Sequence, residues 1–528
     1  MKQTFIRVFS MCLVMMIVLP MLFACKKEKE AVTTEDTQTE DVGVDTGSDE
    51  GGERSKYLPT RVDYSGEKFK IVLDGDDMKA KAQYMVPVDD ASLASDAVNI
   101  ALLNRNKLLE AFFGVDIEVS YLDGPERFNM LTELEINNMS GEDFADIFFT
   151  VATYVMNGAI SNGYVMDLNQ MTQLNLEASY YDQRIQEEYQ IEGKLFTLEG
   201  DYTVYDEMRT QVVGINKTRY ENFLYNETYG SPYELVRDGK WTIETMLEMT
   251  KGTSDYSNAG QGSEMTKDSD WGIISESPFP YIVYLGTGNK IVNVNNGALS
   301  CSLADPTKWQ ITVDILSYCT ENIFDNPEVL IADKSEGVLS SGYWTEAQQM
   351  FANGQALFRT STLSDFIQYR AMEDVFGILP VPKYSETQEG YYSWCSSMAH
   401  SPLMVPSTAS AHAERTANII EAMAYFSKYM SGSTQSVLDA FYENMTHVKL
   451  CRSAEDYEML ELIFSQKTFD LDYALNLSAT GWKIGTFADQ SSYSVNEAMS
   501  AYKDKMTSSD ATINPMLKLL NDMWKHYK

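Results

Sequence analysis

Asp96 to Val119 reads DAVNIALLNRNKLLEAFFGVDIEV, and the change of period inside it decides the fold class. Val98, Ala101, Leu102, Leu109, Phe112 and Phe113 recur at roughly helical spacing. Gly114 then supplies a helix stop. Val115, Ile117, Val119 and Tyr121 alternate with polar residues, as a strand does. Working outward, Phe69, Ile71 and Leu73 alternate with Lys70, Val72 and Asp74 as an earlier strand. A helix around Leu131 and Leu134 leads to a third strand, Ala145 to Thr150. Strand, helix, strand, helix, strand predicts a parallel sheet with right-handed crossovers. Open sheets of this kind take ligands beyond the carboxyl ends of their strands. That rule singles out Asp74, Gly75 and the loop after Thr150.

The middle of the chain carries the same signals in shorter form. Gln211 to Ile215 is a short apolar strand followed by Asn216-Lys217. Thr242 is a predicted N-cap for a helix with Ile243, Met246 and Leu247 on one face, and Trp241 is assigned to structure beside it. Thr345-Glu346-Ala347-Gln348 reads as a capping box opening a helix through Met350 and Phe351. Ala356 to Phe358 and Phe376 to Leu379 read as strands, the second ended by Pro380. Asn418 to Tyr429 and Asp456 to Phe464 are helical in pattern, and no internal repeat is present.

The beginning of the chain has a different chemistry. Lys2 and Arg7 precede an apolar run from Val8 to Ala24, and Cys25 follows Leu22-Phe23-Ala24. That order describes a secretory signal over residues 1–24. It resembles a bacterial lipobox, which implies a diacylglyceryl group on the Cys25 thiol and a chain held outside the cytoplasmic membrane. The rival reading, an uncleaved membrane helix, has to accommodate Pro20. Residues 25–56 are acidic and nearly free of large apolar side chains, so a disordered tether is expected. Lys26, Lys27 and Lys29 stand where anionic head groups would attract them.

The remaining body of about 470 residues suits two lobes rather than one core. A formal net charge of −36 argues against nucleic acid as a partner. Cys301, Cys319, Cys395 and Cys451 lack metal-ligand spacing; a Cys301–Cys319 bridge and buried free thiols both fit. His400, His412, His447 and His526 do not cluster. The sequence has no G-x-S-x-G elbow, Walker loop, H-E-x-x-H helix or G-x-G-x-x-G turn, and no cofactor or metal is called for.

Several blocks in order carry a resemblance. MFANGQALFRTS (Met350 to Ser361) is followed at close range by FGILPVPKY (Phe376 to Tyr384). VVGINKTRYENF (Val212 to Phe223), DGKWTIETMLEM (Asp238 to Met249) and SAEDYEMLELIFSQKTFDLDY (Ser453 to Tyr473) join them, as does the opening stretch. Together they resemble family 1 extracellular solute-binding proteins, the lipoprotein receptors of bacterial ABC importers, from about Tyr57 onward. The resemblance implies an α/β fold of the type II periplasmic-binding-protein-like class. Each of its two lobes would be a mainly parallel sheet flanked by helices, and hinge strands would join them. Residues 57–213 would begin lobe I and 214–397 lobe II, with the crossing near Gly214. The chain would return near Met398 to Pro406, complete lobe I over 398–465 and finish on lobe II over 466–528. It further implies a receptor that closes on a small solute, carbohydrate first, and delivers it to ABC permease subunits; a monomer is expected, and the missing catalytic motifs favour binding without turnover.

A sugar needs flat rings for its C–H face and directional donors and acceptors for its hydroxyls. The candidates are Asp74, Thr150, Asp201, Tyr202, Tyr205, Trp271, Trp344, Arg359 and Trp394. Phe351 and Phe358 are assigned to the core. For any single ring the core is the commoner place. A secreted glycoside hydrolase is the alternative from another class, since acidic residues are plentiful. A surface glycan-binding adhesin or sensor would use the same cleft.

Overall fold

The computed structural model describes residues 52–124, 129–255, 265–335, 337–430, 435–477 and 495–527. The expected signal peptide, Cys25 and nearly all of the expected tether lie outside the described residues. The last tether residues are ordered: Glu53–Lys56 is a helical turn, its Arg54 donates to the Tyr429 carbonyl at 3.1 Å, and Tyr425 donates back to the Arg54 carbonyl at 2.9 Å.

The first third of the chain lays down β1 (Lys68–Leu73), β2 (Asp116–Tyr121) and β3 (Ile147–Phe149). The middle supplies β4 (Gln211–Asn216), β5 (Trp271–Ser275), a hairpin of β6 (Val292–Asn295) and β7 (Ala298–Cys301), then β8 (Val329–Ile331), β9 (Ala356–Thr362) and β10 (Phe376–Leu379). Three two-residue strands follow: β11 (Ser393–Trp394), β12 (Leu403–Met404) and β13 (Lys467–Thr468).

One sheet has the order β12-β3-β1-β2, with β1 parallel to both β2 and β3 and β12 antiparallel to β3. This is the parallel β-α-β-α-β unit that the opening stretch predicts. Its first crossover helix, Ala97–Phe113, is capped by Asp96, which accepts from the Asn99 amide at 2.9 Å. Gly114 ends the helix in the left-handed region at φ 61°, which a side chain rarely tolerates. A second sheet has the order β10-β4-β9-β5-β8. Here β5 runs parallel to β8 and β9, while β4 is antiparallel to both its neighbours. Both sheets bury their apolar residues under helices, and each of the two hydrophobic clusters draws on strands of both sheets.

Local differences from the sequence reading have physical causes. The helix through Met350 runs Tyr343–Ala352, so Thr345 lies inside it and Gly342 is the N-cap. Glu346 still satisfies orphan donors, but those of Ser340, from its amide and hydroxyl at 2.8 Å each. β9 extends to Thr362 because it is the middle strand of five and is buried throughout. Gly214 lies within β4, where the Phe366 ring occupies the position a Cβ would take. Cys301, Cys319, Cys395 and Cys451 are all free thiols.

The final part of the chain makes contacts with segments on either side of the hinge. Lys503 lies over the Trp309 ring at 4.6 Å, on the long helix Pro306–Phe324. Tyr527 donates to the Val165 carbonyl at 2.5 Å, beyond the helix Ala152–Ser161 that follows β3.

Candidate ligand-binding cleft

Three passes of the chain run side by side between the sheets. The first, around 198–210, bridges the second, around 395–403, at Leu198–Leu403 and Thr210–Cys395. The third enters through β13, which pairs with β11. Within this hinge Glu199 and His400 are both buried and share a hydrogen bond of 2.5 Å. Burial pushes the Glu199 carboxyl up and the His400 imidazole down to about 4, so the pair is held neutral.

Strand ends from both sheets converge on the hinge, and the candidate cleft is placed there. On the first sheet, Asp74 follows β1 and Thr150 follows β3. The Thr150 hydroxyl donates to Asp74 Oδ2 at 2.9 Å, while the buried Asp74 Oδ1 has no partner. Burial raises the Asp74 carboxyl above its usual range. Tyr84 lies just beyond the helix that Asp74 opens. Its carbonyl accepts from Thr203 Oγ1 at 2.9 Å and the Val204 amide at 3.0 Å, and its ring stacks on Tyr205 at 6.4 Å.

On the second sheet the carboxyl ends of β5, β8 and β9 present Glu276, Asp333 and Ser364. Because β4 runs against β9, the amino end of β4 lies at this same edge, Gln211 opposite Thr362. Arg209, two residues ahead of β4, therefore reaches the cleft. It donates to Ser364 Oγ at 2.8 Å, and its guanidinium lies 5.8 Å from the Tyr205 ring. Tyr84, Tyr205, Arg209 and Ser364 thus form a continuous line from one lobe, through the hinge, to the other.

The nine sequence candidates divide. Asp74 and Thr150 are brought together at the first sheet's edge, and Tyr205 joins the line across the hinge. Arg359 is fully buried and pairs with Glu276 at 2.5 Å; Trp344, 38% exposed, lies over its guanidinium at 5.7 Å. Trp394, expected to line the cleft, has no exposed surface and packs between Tyr473 at 5.1 Å and Tyr281 at 6.3 Å. Trp271 is a β5 core ring that donates to the Thr266 carbonyl at 3.3 Å. Tyr202 is core as well, its hydroxyl spent on the Leu198 carbonyl at 2.5 Å. Flanking Gly, Ser or Tyr did not distinguish a cleft ring from a core ring.

Asp201 belongs to a different concavity of about 680 Å³, on the side of segment 200–207 that faces the helix Ala454–Ser465. Tyr181, Tyr442, Tyr457 and Phe464 wall it. Lys467 lies in it, bonded to Asp206, to Glu207 at 2.9 Å and to Asp182 at 3.2 Å. Burial pushes Asp201 up to about 7, with Lys428 at 3.8 Å opposing the shift. Sequence reading missed Tyr84, Arg209, Glu276, Asp333 and Lys467. An amino-end position on an antiparallel strand would have pointed to Arg209, but strand direction was not readable there.

Two lobes, each an α/β sheet, joined by adjacent hinge strands with strand ends facing a shared cleft, define the fold of the ABC solute-binding proteins. Solved structures of that class superpose on most of the chain. A cyclo/maltodextrin-binding protein complexed with maltotetraose matches with a TM-score of 0.52 and 13% identity, covering 85% of this chain and 100% of its own. An ABC substrate-binding protein from Listeria monocytogenes in complex with cycloalternan matches at 0.51 and 14%, over 83% and 97%. UgpB from Mycobacterium tuberculosis in complex with glycerophosphocholine matches at 0.50 and 11%, over 86% and 98%. No protein-family model and no curated protein matches the sequence. Among the described residues no helix is long and apolar enough to cross a membrane, and no group of three or more His, Cys, Asp or Glu could hold a metal ion.

Proposed function

We propose that the protein is a lipid-anchored extracellular receptor that captures a small solute, carbohydrate in kind, between its lobes. It hands the solute unchanged to the permease of an ABC importer. The observation carrying this reading is the line Tyr84–Tyr205–Arg209–Ser364, which ties ring and polar groups of both lobes to one hinge. Closing such a hinge is favoured only by a ligand that touches both lobes. The sugar and glycerophosphodiester ligands of the neighbouring structures support the solute class. Trp344 is the proposed contact beside that line, with the buried Asp74, Thr150 and Arg359 proposed to support the site from behind, and Cys25 is the proposed anchor.

The cleft carboxylates argue for binding without turnover. Hydrolysis of a glycosidic bond needs two carboxyl groups free to face it. Here Glu276 is held by Arg359, Asp333 by the amide and hydroxyl of Ser277 at 2.8 and 2.5 Å, and Asp365 by Ser361. The test is a thermal-shift screen of the intact protein against mono- and oligosaccharides, with mass spectrometry of the recovered ligand. A true ligand at 100 times its Kd should add about 2.7 kcal/mol of stability and return intact. Recovery of shortened products would replace this reading with the hydrolase.

A further inference from the structure

Arg209 is the cleft cation whose charge the protein leaves unanswered. Its residue surface is 7% exposed, and its Nε is buried without a hydrogen-bond partner. Its identified side-chain partners are the Ser364 hydroxyl and the face of the Tyr205 ring, both uncharged. No ion pair reaches it among the described residues, although carboxylates are close in sequence and space. Asp206 and Glu207 are taken by Lys467 on the other side of the segment. Asp365 is engaged by the Ser361 hydroxyl, and Glu276 by Arg359. A guanidinium with a buried, unpartnered Nε, little remaining contact with water and no counter-ion is disfavoured, because its lost solvation is only partly replaced. Its planar fork of donors matches two oxygens of one carboxylate or phosphate.

Building on the receptor reading, we infer that the solute carries an anionic group, carboxylate or phosphate, and that Arg209 is the residue that receives it. The ligand then completes the ion pair that the lobes leave half-made. The formal charge of −36 does not oppose this. Surface charge acts on the encounter and is screened by salt within about 10 Å, whereas the bound state answers to the local, water-poor charge. The net charge of the chain lowers the on-rate for an anion without deciding what the cleft holds.

Calorimetric titration of the intact protein with matched probes tests it. One arm compares trigalacturonate with its methyl ester, a second compares glucose 6-phosphate and glycerophosphocholine with glucose, and a third uses neutral maltotriose. The expected result is tight binding in one anionic arm and a loss of at least about 30-fold in its neutral counterpart. Arg209→Gln should erase that difference. Arg209→Lys, which keeps the charge and the fold more easily, should weaken the anion alone. The two anionic arms separate the carboxylate source from the phosphate source. Equal affinity for acid and ester, or a neutral sugar binding tighter than either anion, overturns this inference and leaves the receptor reading standing. An equal loss for neutral and anionic probes in Arg209→Lys overturns it too. No binding by any probe overturns both.

Discussion

Removing the indole of Trp394 empties a space shared with Tyr281 and Tyr473, and nothing nearby is free to fill it. Trp394→Ala should therefore cost about 3–5 kcal/mol. Urea unfolding should show a lower midpoint with an unchanged slope. Trp344→Ala removes a ring 38% exposed over Arg359, a contact worth about 0.5–1 kcal/mol. If Trp394→Ala leaves the midpoint where it was, the core assignment is wrong. The contrast also marks what a sequence conveys at this scale. Both tryptophans sit among small or polar neighbours, so local composition treats them alike. Only the packing of distant segments, 281 and 473 against 394, separates them. Asp74 was legible for the opposite reason: its place depends only on where β1 ends, which the alternation of Phe69, Ile71 and Leu73 gives directly.

Elements whose signals are local were readable, and elements whose signals are borrowed were not. The helix Ile243–Thr250 is capped by Thr242 as its sequence predicts, with the Thr245 amide donating at 3.1 Å. The helix at Tyr343 begins earlier than its apparent box because Ser340, outside the box, supplies the donors that Glu346 accepts. Strand direction is the larger gap. β4 and β5 look alike as apolar runs, yet β4 is antiparallel to β9 and β5 parallel, which is why Arg209 escaped notice. β4 also makes a demand that its pattern hides. The Phe366 ring occupies the place of a Cβ on Gly214, with its Cε1 at 2.1 Å and Cζ at 2.8 Å. Gly214→Ala must push that ring out of a buried cluster with Phe351, Tyr369 and Phe376. The expected cost is about 1–3 kcal/mol. A melting temperature equal to that of the parent would show that the ring moves aside freely and that the glycine is incidental.

At the scale of the molecule, a hinge works only if the contacts between lobes are few enough to break. Segment 470–477 is the clearest strap between them. Its Asp470 accepts from the Tyr281 hydroxyl on the second lobe at 2.6 Å. On the first lobe, the helix Ala152–Ser161 reaches it twice: Thr153 donates to the Tyr473 carbonyl at 2.6 Å and Asn157 to the Leu475 carbonyl at 2.8 Å. Each bond is worth about 0.5–1.5 kcal/mol net. Losing both removes about 1–3 kcal/mol from this arrangement of the lobes, a shift of roughly 5- to 150-fold in a two-state population. The double variant Thr153→Val, Asn157→Leu should therefore raise the radius of gyration of the ligand-free protein in small-angle scattering. The three hinge passes remain paired in the variant, so the change should appear as rotation, with local structure by circular dichroism unaltered. A radius identical to that of the parent would mean that the strap does not hold the lobes together, and closure would have to be sought in the Tyr84–Tyr205 stack instead.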